Sequence, residues 1–100
     1  MIKELTENNF KQETANGVCV IDFWATWCGP CRMMSPVIEG LSEKRPDLKF
    51  YKVNVDEQNG LAASFGVQSI PMIVVMRDGK ITASTVGFMP EAALVSDLGL

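Results

Sequence analysis

Val18-Cys19-Val20-Ile21-Asp22-Phe23-Trp24, followed by Ala25-Thr26-Trp27 and then Cys28-Gly29-Pro30-Cys31, decides how this chain folds. The first seven residues form an almost continuous apolar run broken by one acid, the pattern of a strand covered on both faces. Past the cysteines the period changes. Met34, Val37, Ile38 and Leu41 recur at i, i+3, i+4 and i+7, which predicts a helix from about Gly29 to Lys44 with one apolar stripe. Pro36 lies inside that helix and is expected to kink it. The cysteine pair therefore falls where a buried strand hands over to a helix.

Working outward, Ile2 to Leu5 reads as a short edge strand. Thr6 is suited to cap a first helix running to about Gly17, with Phe10 on its buried side. Downstream, Leu48 to Val55 reads as a second buried strand. Asp56 is the expected cap of a short helix to Phe65, which Gly66 ends. Met72 to Met76 and Ile81 to Val86 are strands joined by the tight-turn pair Asp78-Gly79, hence a hairpin. Pro90 and Glu91 open a last helix with Leu94, Val95 and Leu98 inward. The order β-α-β-α-β-α-β-β-α predicts an α/β fold: a mixed central sheet of about five strands flanked by about four helices. At 100 residues the chain is expected to form a single domain over 1–100.

Composition narrows the chemistry. A hydrophobic content of 47% suits a packed core. Net charge is −3, and Lys and Arg never cluster beyond a pair, so no nucleic-acid partner is expected. No apolar stretch approaches the ~20 residues needed to cross a bilayer. The opening residues lack the apolar core of a signal peptide, which points to the cytoplasm. With no histidine, Cys–His and Ser–His nucleophile pairs and histidine-bearing zinc sites cannot form within the chain. Three cysteines are also too few for a four-thiolate site, so no metal is expected.

With Cys28 at the N-cap, Cys31 lies at N3, close enough for the two sulfurs to bond. Unpaired N–H groups and the positive end of the helix dipole stabilise a thiolate there, lowering the pKa of Cys28. Pro30 fixes a helical φ and has no N–H to leave unpaired. The chemistry implied is thiol–disulfide exchange. Two blander readings compete, half of a zinc knuckle and a chance pair in a core helix. The missing second ligand pair weighs against the first, and the strand-to-helix junction with its Gly-Pro weighs against the second.

Phe23-Trp24-Ala25-Thr26-Trp27-Cys28-Gly29-Pro30-Cys31-Arg32 resembles the active-site signature of the thioredoxin family. The likeness continues through Pro36, Lys52-Val53-Asn54-Val55-Asp56, Ile70-Pro71, Asp78-Gly79 and Val86-Gly87. It implies a thioredoxin fold and a protein-disulfide reductase serving cell redox homeostasis. No cofactor is implied beyond a redox-active Cys28–Cys31 disulfide recharged by a thioredoxin reductase. Protein disulfides would be the substrates and the chain a monomer. In these terms Cys28 is the nucleophile, exposed at the helix tip, and Cys31 resolves the mixed disulfide.

Asp22 matches a buried acid that assists proton transfer at the resolving thiol; the bland alternative is a strand residue turned to water. Lys52 matches a lysine near that acid, and otherwise reads as an exposed strand lysine. Trp27 is expected beside the redox pair, and Trp24 is expected to be packing support. Ile70-Pro71 matches a cis-proline packed on the cysteines, whose edge would take an extended substrate segment. Gly87 matches a glycine that lets the substrate backbone approach. Cys19 reads as an inert core residue. Met72 and Ser69 depart from the commonest residues at their positions, which bears on partner preference. A disulfide-forming oxidase or isomerase and a redox-silent binding module remain the alternatives. The uncharged Gly29-Pro30 favours the reductant over the first, and the joint presence of the cysteines, Asp22 and Ile70-Pro71 argues against the second.

Overall fold

Strand and helix alternate in the expected order in the structure, a computed structural model that describes residues 2–100. The elements are β1 (Ile2–Glu4), α1 (Phe10–Thr14), β2 (Val18–Trp24), α2 (Gly29–Lys44), β3 (Lys49–Asn54), α3 (Asn59–Ser64), β4 (Met72–Arg77), β5 (Lys80–Val86) and α4 (Glu91–Leu98). They build one five-stranded sheet in the order β1-β3-β2-β4-β5. β1 and β2 run parallel to β3, while β4 is antiparallel to β2 and β5 antiparallel to β4. The mixed sheet inferred from sequence is thus the one observed.

β2 lies at the centre of the sheet, which is why its sequence is apolar on both faces. Pleating sends Cys19, Ile21 and Phe23 to one side, where they join Leu5, Tyr51, Val53, Leu61, Ala62, Val74 and Met76. Val20 goes to the other side and packs with Met34, Ile38 and Leu41 of α2 and with Leu94 and Leu98 of α4. Asp22 shares the parity of Val20, so its carboxyl faces α2. Lys52 of β3 and Ile73 of β4 are its direct neighbours across the sheet.

Three expectations are corrected locally. Thr6 caps the turn that leads into α1 rather than α1 itself: its Oγ1 accepts the N–H groups of Asn8 and Asn9, and Asn9 Oδ1 accepts the N–H of Thr6. The Phe10 N–H closes that turn on the Thr6 carbonyl at 3.0 Å, and α1 proper starts at Phe10. It also stops at Thr14, short of the anticipated Gly17. Asp56 does not cap α3 either. Asn54 Oδ1 takes the N–H groups of Asp56 and Glu57 at 2.9 and 3.3 Å, and α3 opens after Gln58. Gly66 ends α3 at φ +68°, and the Asp78-Gly79 hairpin turn has positive φ at both residues, as a two-residue I′ turn requires.

Candidate active site

β2 ends at Trp24, the chain turns over three residues, and Cys28 becomes the N-cap of α2 with φ −94° and ψ 109°. This extended backbone lets the side chain fold back on the first turn. Cys28 Sγ accepts the Cys31 N–H at 3.2 Å, satisfying one of the donors a helix start leaves unpaired. The two Cα atoms are 5.2 Å apart and the sulfurs are joined as a disulfide. Gly29 and Pro30 fill the first two helical positions, where the missing Pro30 N–H leaves nothing unsatisfied.

The expectation that Cys28 is exposed at the helix tip is corrected. Cys28 is 5% exposed and Cys31 4%. The closed disulfide packs against Ala25, with Trp24, Val55 and Ile70 around it. Being at a helix end sets the electrostatics of a residue, but the loops over that end set its accessibility.

Asp22 does not turn to water: it is 7% exposed, and its Oδ1 has no hydrogen-bond partner among the described residues. Burial pushes its carboxyl up from 3.8 to about 7, and the nearby Lys52 ammonium pulls it part of the way back. Lys52 is half-buried rather than free on the surface, with Nζ 5.8 Å from the centroid of the Trp24 ring. Asp22 and Cys31 both open onto a cavity of about 150 Å³, which Trp24, Arg32, Ser35 and Lys52 complete.

The opposite flank of the disulfide is apolar. Trp27 is 66% exposed, yet its Nε1 donates to Asp56 Oδ2 at 2.8 Å. A hollow of about 320 Å³ runs beside it, lined in part by Val55, Ala62, Val67 and Ile70. Ile70 packs on the cysteines, and the Ile70–Pro71 bond is cis. The Pro71 carbonyl accepts the Gly87 N–H at 2.8 Å, which brings Gly87, at φ +91°, to the same rim. Cys19 is fully buried away from this site, and burial pushes its thiol up.

Asp56, Arg32 and Ser35 belong to the site but were not singled out from sequence. Asn54 two residues before Asp56 carried the signal of a side-chain-capped turn, which frees the Asp56 carboxylate for another partner. Ser35 follows Cys31 by four residues and so shares its face of α2.

Among the described residues no group of His, Cys, Asp and Glu side chains could hold a metal ion, so the zinc-knuckle reading finds no further ligands. Among the described residues no helix is long and apolar enough to cross a membrane. Residues 1–99 match the family model described as Thioredoxin.

The chain belongs to the thioredoxin family.

It is 46% identical to the thioredoxin of Listeria monocytogenes over 95 residues, covering 94% of this chain and 92% of the relative. The thioredoxin of Bacillus subtilis is 46% identical over 94 residues, with 93% and 90% covered. Among solved structures, the Malassezia sympodialis thioredoxin superposes with a TM-score of 0.86 at 38% identity, covering 96% of this chain and 87% of that one. A chain from a study of thiol resolution in yeast mitochondrial 1-Cys peroxiredoxin superposes with a TM-score of 0.90 at 36% identity, covering 99% and 95%. Thioredoxin-family activity is thiol–disulfide exchange that reduces protein disulfides and carries electrons. Its redox group is the cysteine pair of the chain itself, here Cys28 and Cys31. Substrates carrying disulfides and a reductase that restores the dithiol are the partners this activity entails.

Proposed function

We propose that Cys28 attacks a disulfide in a client protein, Cys31 resolves the mixed disulfide, and Asp22 takes the Cys31 proton. The observation that carries this reading is the placement of Cys28 at the start of α2, with Cys31 and the Asp22 carboxyl opening onto one cavity. In the reduced protein the Cys28 thiolate, stabilised by the helix N-terminus, bonds to one client sulfur and expels the other as a thiolate. Cys31 then passes its proton to the Asp22 carboxylate. Its thiolate bonds to Cys28 Sγ, and the second client sulfur leaves with the electron pair. The client is reduced by two electrons and Cys28–Cys31 is oxidised. A thioredoxin reductase returns the pair to the dithiol.

Lys52 holds a positive charge beside Asp22, which eases ionisation of that acid. Trp27, Ile70, Pro71 and Gly87 form the docking rim, where an extended client segment pairs with the backbone of Ile70. Gly29-Pro30 adds no positive charge between the cysteines, which favours a reductant over an oxidase. The protein works as a monomeric single domain over residues 1–100 in the cytoplasm, a compartment that suits the free thiol of Cys19. Cys31→Ser should accumulate client proteins disulfide-linked to Cys28, and Cys28→Ser should abolish reduction. Non-reducing gels with peptide mass spectrometry identify the trapped sulfur. Adducts on Cys31 with Cys28 free would reverse the two roles.

A further inference from the structure

Ser35 lies just over one helical turn beyond Cys31, and its side chain walls the cavity of about 150 Å³ shared by Cys31 and Asp22. Serines inside helices commonly donate to a carbonyl of the preceding turn. Ser42 and Ser64 do so here, donating to Glu39 O and Leu61 O at 2.7 Å each. Ser35 is exposed at the mouth of the cavity, and among the described residues no such bond engages its hydroxyl. Two other polar atoms of the lining residues, Asp22 Oδ1 and Trp24 Nε1, are buried without partners. The Asp22 carboxyl, the Ser35 alcohol and the Lys52 and Arg32 cations thus line a space several times the ~30 Å³ share of one water. Polar cavities of that size fill with water, whereas apolar ones stay dry.

The remaining charged groups around Asp22 are Lys52 on β3 and Arg32 on α2, while β4 presents the apolar Ile73. Arg32 is held at the outer wall by its bond to Thr26 O at 2.9 Å. An ammonium and a guanidinium donate hydrogen bonds and accept none. At the rim only the Ser35 hydroxyl both accepts and donates.

From this geometry we propose that Ser35 anchors the water through which Asp22 exchanges its proton with solvent, a positioning role in the resolving step. The inference rests on the reading of Cys31 and Asp22 given above. The proton that Asp22 takes from Cys31 passes to the cavity water. Ser35 Oγ holds that water by a hydrogen bond, and the water releases one proton outward as it takes the one from Asp22, so no charge stays behind. The only oxidant consumed is the client disulfide.

Reduced protein mixed with an aryl disulfide that releases a coloured thiolate gives two stopped-flow phases, attack by Cys28 and then resolution by Cys31. Ser35→Ala should slow the second phase about two- to tenfold between about pH 6 and 8, the range expected for one lost hydrogen bond, and leave the first unchanged. Ser35→Thr, which keeps the hydroxyl, should restore the second phase. Alanine is the better helix former, so a lower denaturation midpoint is not expected to accompany the effect. An unchanged second phase in Ser35→Ala, or no recovery in Ser35→Thr, overturns the proposal. Asp22→Asn, run in parallel, separates the two levels. If it slows resolution while Ser35→Ala does not, only the role of Ser35 falls. If Asp22→Asn leaves resolution intact, the proton role of Asp22 falls and the relay with it.

Discussion

Replacing Asp22 by Asn should remove a pH-dependent burden on stability. The carboxyl is 7% exposed, has one oxygen without a partner, and is raised from 3.8 to about 7 by burial. The folded state therefore holds the proton more tightly than the unfolded chain does. Its contribution to stability is complete below pH 3.8, is lost as pH rises toward about 7, and changes no further above that. A tenfold difference in proton affinity is worth about 1.4 kcal/mol, so the ionised carboxylate costs the native state roughly 4 kcal/mol above pH 7. At pH 5 only about 1.6 kcal/mol of that has been lost, leaving about 2–3 kcal/mol to appear between pH 5 and pH 8. Asn carries its own penalty of about 1–3 kcal/mol for an unpaired buried amide, but that penalty does not titrate. Urea denaturation of the oxidised protein and of Asp22→Asn at pH 5 and pH 8 gives four free energies. Their double difference cancels every other carboxylate and the amide. The variant should gain about 2–3 kcal/mol on the parent between the two pH values. A double difference within about 0.5 kcal/mol of zero, inside what extrapolation from urea resolves, would show that Asp22 is solvated or fully paired and would refute the buried-acid reasoning.

Cys19 is fully buried with its thiol pushed up, so iodoacetamide on the native reduced protein should label Cys28 first and Cys19 last. Mass-spectrometric mapping over time checks the order, and early modification of Cys19 would place it outside the core. Gly87→Ala meets open space but must adopt φ +91°, which should cost roughly 1–3 kcal/mol and weaken client docking. A denaturant midpoint and a client KM equal to those of the parent would show that the backbone here relaxes freely.

Strand, helix and cysteine placement were legible because each depends on local pattern. The apolar run of β2 marks the central strand, and its single acid stands out because nothing else in the run is polar. The α2 stripe fixes which face of the helix turns inward, and Cys28 at the N-cap follows from where that stripe begins. Even the burial of Asp22 was half legible, since parity puts it with Val20, but parity does not say whether α2 covers that end of the strand.

The misread points each depend on a choice between competing local bonds or on distant chain. Thr6 and Asp56 are both plausible caps by residue type. Thr6 Oγ1 instead takes the N–H groups of the turn before α1, and Asn54 Oδ1 takes those of Asp56 and Glu57 ahead of α3, contests that short-range propensity leaves nearly balanced. Cys28 is covered by Ile70 and Val55, more than twenty-five residues away in sequence, so no local pattern could report its 5% exposure. The proximity of Asp22, Lys52, Cys31 and Ser35 likewise needs the register between β2 and β3 and the docking of α2 across them. Sequence by itself determined the periodicities, the chemical identity of the nucleophile pair and its place at a helix start, because those are properties of adjacent residues. Only the tertiary structure decided what water can reach, because exclusion of solvent is produced by segments remote in the chain, and burial in turn sets the proton affinity of the acid beneath the disulfide.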